Sequence, residues 1–120
     1  MNSSYYELLE TKLSEARAMR VRVTDDALTV DLDDARTISV PLAWYPRLWH
    51  GTLEERNNWE IIGAGYGIHW SDLDEDISVK GLLIGNPSGE SQQSFKRWLE
   101  WREAQGKAQE VIEVGVNIRE

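Results

Sequence analysis

The segment Arg36–Leu83, RTISVPLAWYPRLWHGTLEERNNWEIIGAGYGIHWSDLDEDISVKGLL, decides how this chain is read. It holds four of the six tryptophans, a ladder of Gly63, Gly65 and Gly67, and an acidic run at Asp72–Asp76. Ile38 and Val40 alternate with polar neighbours, the period of a half-buried strand. Pro41 ends that strand because it has no amide for the ladder. Leu42, Tyr45, Leu48 and Trp49 then sit three and four apart, which predicts helix, with Pro46 accommodated in a first turn. Thr52, with Glu55 three residues on, predicts a capped second short helix. Glu60–Gly63 and Tyr66–Trp70 predict two short strands about a glycine bend. Asp76–Leu83 predicts a turn or short helix, capped by Asp76 or Ser78.

The same alternation runs upstream. Val21 and Val23, then Leu28, Val30 and Leu32, are separated from each other and from Ile38 by Asp25-Asp26 and Asp33-Asp34, residues that bond their own backbone in turns. They predict a three-stranded antiparallel meander with one apolar face. Before it, Ser4–Met19 predicts a helix with Ser4 and Glu7 as a capping box and a stripe of Tyr5, Leu8, Leu9, Leu13, Ala16 and Met19. Downstream, NPSGESQQS has the composition of a linker. Phe95, Trp98, Leu99 and Arg102 mark an amphipathic helix from near Ser91 to Gly106. Ile112, Val114, Val116 and Ile118 alternate, predicting a strand paired inside the fold or offered to another chain. The expected class is α+β: a small antiparallel sheet, a three-stranded meander plus short strands, carrying short helices. An N-terminal helix over 1–19 and a helix plus strand over 86–120 flank a core over 20–85.

At 120 residues one domain with one modest core is expected. No cysteine is present, which removes disulfides, thiol catalysis and Cys-ligated zinc, and fits a reducing compartment. No stretch reads as a signal peptide or a membrane span, so a cytoplasmic protein away from membranes is expected. The formal net charge of −8 opposes nucleic-acid binding, which rests on cations neutralising phosphate. It favours a basic protein partner, since complementary charge speeds encounter.

Chemistry-bearing patterns are sparse. Asp72, Asp74 and Asp76 stand at EF-hand offsets, but Ile77 replaces the glycine and Leu83 the closing Glu of that template. Turn acids and a helix cap are the plainer reading. His69 lies in an alternating strand near these acids. It is either a packed residue satisfied by a carboxylate, or a metal or acid–base group working with Asp72, Asp74 and Asp76. Gly63, Gly65 and Gly67 are too closely spaced for a dinucleotide loop, and predict a bend where the backbone passes close to a tryptophan. No catalytic constellation, metal set or cofactor is expected. Trp98 and Trp101, three apart and accompanied by Phe95, form a candidate partner-binding face, because tryptophan is a favoured interface anchor. With Ile112, Val114, Val116 and Ile118 they are the candidate partner-binding residues.

The segments RTISVPLAWYPRL, EERNNWEIIGAGYGIHW and LDEDISVKGLL, with the meander from Arg20, resemble the bacterial domain of unknown function family 2442. The resemblance covers about 20–84 and implies a small α+β domain, a short antiparallel sheet carrying helices. It also implies two possible settings: an antitoxin paired with another small bacterial domain, or a carrier of a C-terminal helix-turn-helix. After Leu83 this chain has too few residues for the helices of that second module.

Three expectations follow. The first is a non-enzymatic, antitoxin-like protein-binding module with a basic partner. Another is a self-assembling adaptor built on the terminal helices. A small metal-dependent enzyme using His69 and Asp72–Asp76 is the third.

Overall fold

Helical spacing gives way to alternation near residue 16, and the chain turns there from helix to sheet. A computed structural model describes the backbone of residues 3–119 and the side chains of residues 4–8, 11 and 15–106. It divides into two compact units, Met1–Ser88 and Gly89–Glu120.

In the first unit, helix α1 spans Ser3–Glu15. Ser4 therefore lies inside the first turn, not at a cap. Strand β1 (Ala18–Val23) follows at once, so Met19, expected at the end of the helix, belongs to the sheet. The register of β1 shifts between Ala18 and Arg20, leaving Met19 as the extra residue of a bulge. That bulge breaks the period-two signal and hid the start of the strand. Strands β2 (Ala27–Leu32) and β3 (Thr37–Pro41) complete an antiparallel β1-β2-β3 meander. Val21 faces Val30, Val23 faces Leu28, and Leu28 faces Val40, giving one buried face. On the other face Arg22 forks onto Asp31 at 2.8 and 3.1 Å, and the Thr37 hydroxyl donates to Asp31 at 2.9 Å. These donors hold the Asp31 carboxyl below the usual aspartate range.

After a 3-10 turn at Leu42–Trp44, helix α2 (Pro46–Trp49) places Pro46 at its first position. Helix α3 (Leu53–Asn57) carries the expected capping box. Thr52 accepts from the Glu55 amide at 3.1 Å, and Glu55 accepts from the Thr52 amide at 2.8 Å. A second antiparallel sheet, β4 (Trp59–Ile62), β5 (Gly67–Trp70) and β6 (Glu75–Ser78), follows. Asp76 is a strand residue here. The cap of helix α4 (Val79–Leu83) is Ser78, whose hydroxyl accepts from the Gly81 amide at 2.9 Å.

Both sheets meet through Arg56. Its Nε donates to the Leu48 carbonyl at 2.8 Å and its Nη2 to the Trp49 carbonyl at 2.8 Å. Its Nη1 reaches Asp25 at 3.0 Å, and its own carbonyl accepts from the Trp70 indole at 3.0 Å. Leu28, Leu42, Leu48, Ile68, Trp70 and Leu73 are fully buried. Each such side chain stabilises the fold by about 1.5–3 kcal/mol.

The second unit is helix α5, Gln92–Arg119. Ser91 caps it, accepting from the Ser94 amide at 3.0 Å. The strand expected over Ile112–Ile118 is instead the continuation of this helix through Gly106. A glycine inside a helix costs about 1 kcal/mol, whereas a strand without a neighbour leaves its whole ladder unpaired. The side chains of Ile112, Val114, Val116 and Ile118 lie outside the described residues.

Arg56→Ala removes the donor to the Trp49 carbonyl and leaves the Leu48 carbonyl with the Gly51 amide at 3.1 Å, and the Arg56 side chain is only 11% exposed in the native fold. The expected loss in urea unfolding is about 2–4 kcal/mol, with little recovery in Arg56→Lys, whose single ammonium cannot span the three sites. Asp31 ionises more readily folded than unfolded, so its contribution is present above the ordinary aspartate range and fades as pH falls below it. In Asp31→Asn, the decline of stability with falling acid pH is expected to be shallower than in the parent, read by urea unfolding across a pH series.

Candidate functional site

The turn between β5 and β6 carries the acidic run, and the strand register decides where each acid goes. His69 pairs with Asp76 across the two strands, Nδ1 lying 2.6 Å from Oδ1. Glu60 of β4 stands opposite His69 on its other side. Asp72 turns away to accept from the Asn58 amide group at 2.9 Å, and Asp74 occupies the tight turn with φ 49°. Of the four residues named for metal or acid–base work, the structure brings two together and sends two elsewhere. Among the described residues, no group of three or more histidine or carboxylate side chains is placed to hold a metal ion. A single imidazole–carboxylate pair fixes the ring's orientation.

The glycine bend is a 3-10 turn with three successive positive φ values: Gly63 58°, Ala64 57° and Gly65 97°. Its close neighbour is Arg17, not the tryptophan expected. A Cβ on Gly65 would lie 3.0 Å from the Arg17 Cβ. Arg17 donates through Nε to the Tyr66 hydroxyl at 3.1 Å, and its guanidinium sits 5.1 Å from that ring's centroid. The hydrogen bond to Tyr66 raises the Arg17 pKa above its ordinary value. An open cleft of about 520 Å³ lies here, lined by Glu15, Ala16, Arg17, Asp33, Asp34 and Tyr66. Two of its acids are engaged: Asp33 accepts from the Arg17 backbone amide at 3.3 Å, and Asp34 pairs with Arg36 at 2.7 Å.

The remaining signal is apolar surface. In α5, Phe95 and Trp98 stack at 5.8 Å and the Arg102 guanidinium lies 5.1 Å from the Trp98 ring, and Trp98, expected to face a partner, is only 8% exposed. Trp101 is 56% exposed. Tyr5, Tyr6 and Leu8 are exposed on α1, although Tyr5 and Leu8 read as a packing stripe. Trp49 is 47% and Leu53 67% exposed, four residues apart across the α2–α3 junction. Helical spacing groups Trp49 with Leu42, Tyr45 and Leu48, and the structure buries the other three. The exposure of Leu53 had one available signal, its position at the start of a capped helix, off any apolar period.

The DUF2442 family model, described as a protein of unknown function, matches residues 18–88. No curated protein matches the chain. The chain is similar to a protein of unknown function from Rhodospirillum rubrum, known from a crystal structure. The two are 31% identical with a TM-score of 0.57, over 65% of this chain and 96% of that one. It also shares the fold of an uncharacterised protein from Chromobacterium violaceum, solved by NMR. There the identity is 24% and the TM-score 0.56, over 72% of this chain and 80% of that one.

Gly65→Ala is expected to lose about 1–3 kcal/mol in urea unfolding, from a strained positive φ together with the contact on Arg17. Gly63→Ala, where the added carbon meets nothing within 4 Å, is expected to lose less.

Proposed function

The chain belongs to the DUF2442 family, and from that premise we propose that it is a non-enzymatic protein-binding module, the antitoxin-like partner of a basic bacterial protein in the cytoplasm. The observation that carries this reading is helix α5. It forms a unit of its own, lies beyond residues 18–88 that match the family, and leaves Trp101 56% exposed. The net charge of −8 supports a basic partner, through faster encounter and the exclusion of acidic competitors. On this reading α5 lies across the partner, with Trp101 as its anchor, and the Met1–Ser88 unit is a rigid platform. Among the described residues no helix is long and apolar enough to cross a membrane, which accords with a partner met away from the bilayer core.

A second reading is a self-assembling adaptor. The exposed Tyr5, Tyr6 and Leu8 of α1 favour it, since such a face is suited to homotypic helix contact.

Tagged full-length protein is expected to co-purify with one stoichiometric basic protein. Removal of residues 89–120 should abolish that association while urea unfolding of the remainder stays cooperative, and Trp101→Ala should weaken it by roughly tenfold or more. Undiminished binding by the shortened chain would remove α5 from the interface. A defined homo-oligomer in light scattering of the pure protein, with no partner, would transfer the assignment to the adaptor.

A further inference from the structure

We infer that the platform has a docking point of its own at the α2–α3 junction, where Trp49 and Leu53 receive an apolar side chain flanked by lysine or arginine on a basic protein partner. This rests on the protein-binding reading and assigns part of that partner's contact to a surface within the Met1–Ser88 unit.

The junction is built to show apolar surface without moving. Leu48 points into the core, fully buried, while its neighbour Trp49 stays 47% exposed. The backbone of both is clamped from beneath by Arg56, through the Leu48 and Trp49 carbonyls at 2.8 Å each. The Thr52–Glu55 capping box then holds the first turn of α3, where Leu53 is 67% exposed. Two large apolar residues displayed on so constrained a backbone gain nothing for the fold by their exposure. A preorganised surface of this kind loses little entropy when a partner covers it.

Charge identifies the occupant. Arg56 also reaches Asp25 at 3.0 Å, so one guanidinium ties the turn between β1 and β2 to the apolar pair. The Asp25 side chain is 95% exposed despite this contact. Asp26 and Glu54, adjoining Asp25 and Leu53, are exposed as well. Asp25, Asp26 and Glu54 therefore outnumber Arg56 at this surface, and Arg47, the other arginine of the junction, donates to the Leu73 carbonyl at 3.1 Å. A second copy of the chain would bring the same acids face to face, a like-charge arrangement that costs affinity. A cationic protein segment satisfies both the centre and the rim.

The test is a ¹⁵N-resolved NMR titration of the full-length protein with the peptide acetyl-Arg-Lys-Leu-Arg-Lys-amide, using acetyl-Glu-Asp-Leu-Glu-Asp-amide as the matched control. Saturable shifts are expected at the Trp49 indole, at Leu53 and at Asp25 with the basic peptide alone, weakening about fivefold or more between low and high salt. Leu53→Ala, an exposed position that leaves the fold intact, is expected to weaken binding by about fivefold, and Asp25→Asn with Asp26→Asn to reduce the salt dependence. Shifts elsewhere, no shifts, or an equal response to the acidic peptide would overturn the proposal. So would concentration-dependent shifts of these residues in the free protein, which would give the face to a second copy. A silent junction in a protein whose partner binding still depends on residues 89–120 removes this docking point alone. A responsive junction in a protein that binds its partner equally well without those residues removes the role of α5 alone.

Discussion

One guanidinium organises the family-matched part of this protein. Arg56 is nearly buried, and each of its three nitrogens donates: two to carbonyls at the end of α2 and one to a carboxylate in the first hairpin. The main chain of the same residue receives the indole of Trp70, the largest fully buried side chain. Arginine suits this place where lysine does not, because a planar fork with fixed donors can satisfy three acceptors at once. Helices as short as α2 and α3 have no stability of their own, since nucleation is costly and few bonds repay it. They persist because the cation fastens one, the capping box starts the other, and Leu48 fills the core beneath. The two sheets are similarly small, and three-stranded sheets need an apolar face pressed against a partner to stand. Leu28, Val30, Ile68 and Trp70 provide those faces.

Much of this was legible in the chain. Alternation at Val21–Val23, Leu28–Leu32 and Ile38–Val40 announced the meander, and Asp pairs announced its turns. Pro46, Thr52 with Glu55, and Ser78 fell where local chemistry wants them, because proline placement and capping depend on neighbours a few residues away. What escaped notice depended on more distant geometry. The bulge at Met19 adds a residue out of phase, and period counting then extends the helix over the strand. Strand β6 has four residues, too short for alternation to separate it from a cap. The terminal alternation of Ile112–Ile118 looked like a strand, yet periodicity cannot supply the neighbour that a strand requires.

The candidate sites divide the same way. Spacing alone placed His69 beside three acids, but the register of three short strands distributes them, bringing Asp76 to the imidazole and Asp72 to Asn58. Sequence proximity in a β-turn is a poor guide to shared direction, because successive side chains leave opposite faces and the turn reverses the chain between them. The glycine ladder was rightly read as a bend. Its neighbour was misjudged, since Arg17 lies far from Gly65 in sequence and is brought there only by folding. Nor could Arg56 be recognised as a keystone from a local pattern, because its acceptors are backbone carbonyls and carry no residue-type signal.

Exposure is where sequence and structure together say most about function. Aromatic and aliphatic residues at helical spacing are read as core, and for Leu42, Tyr45 and Leu48 that is correct. Trp49 follows the same spacing and Leu53 does not, yet the backbone beneath both is fixed by hydrogen bonds and both stay exposed. A hydrophobic residue exposed on a flexible tail can collapse onto any available apolar surface. One held by a buried cation and a capping box cannot, and it keeps its solvent contact until something of complementary shape and charge arrives. The acids around it narrow that class further, since desolvating carboxylates beside an apolar centre is favourable only when the incoming group brings positive charge. The cation that consolidates the fold is thus the one that shapes the displayed surface, with its interior donors spent on the scaffold and its outermost donor on the acid at the rim.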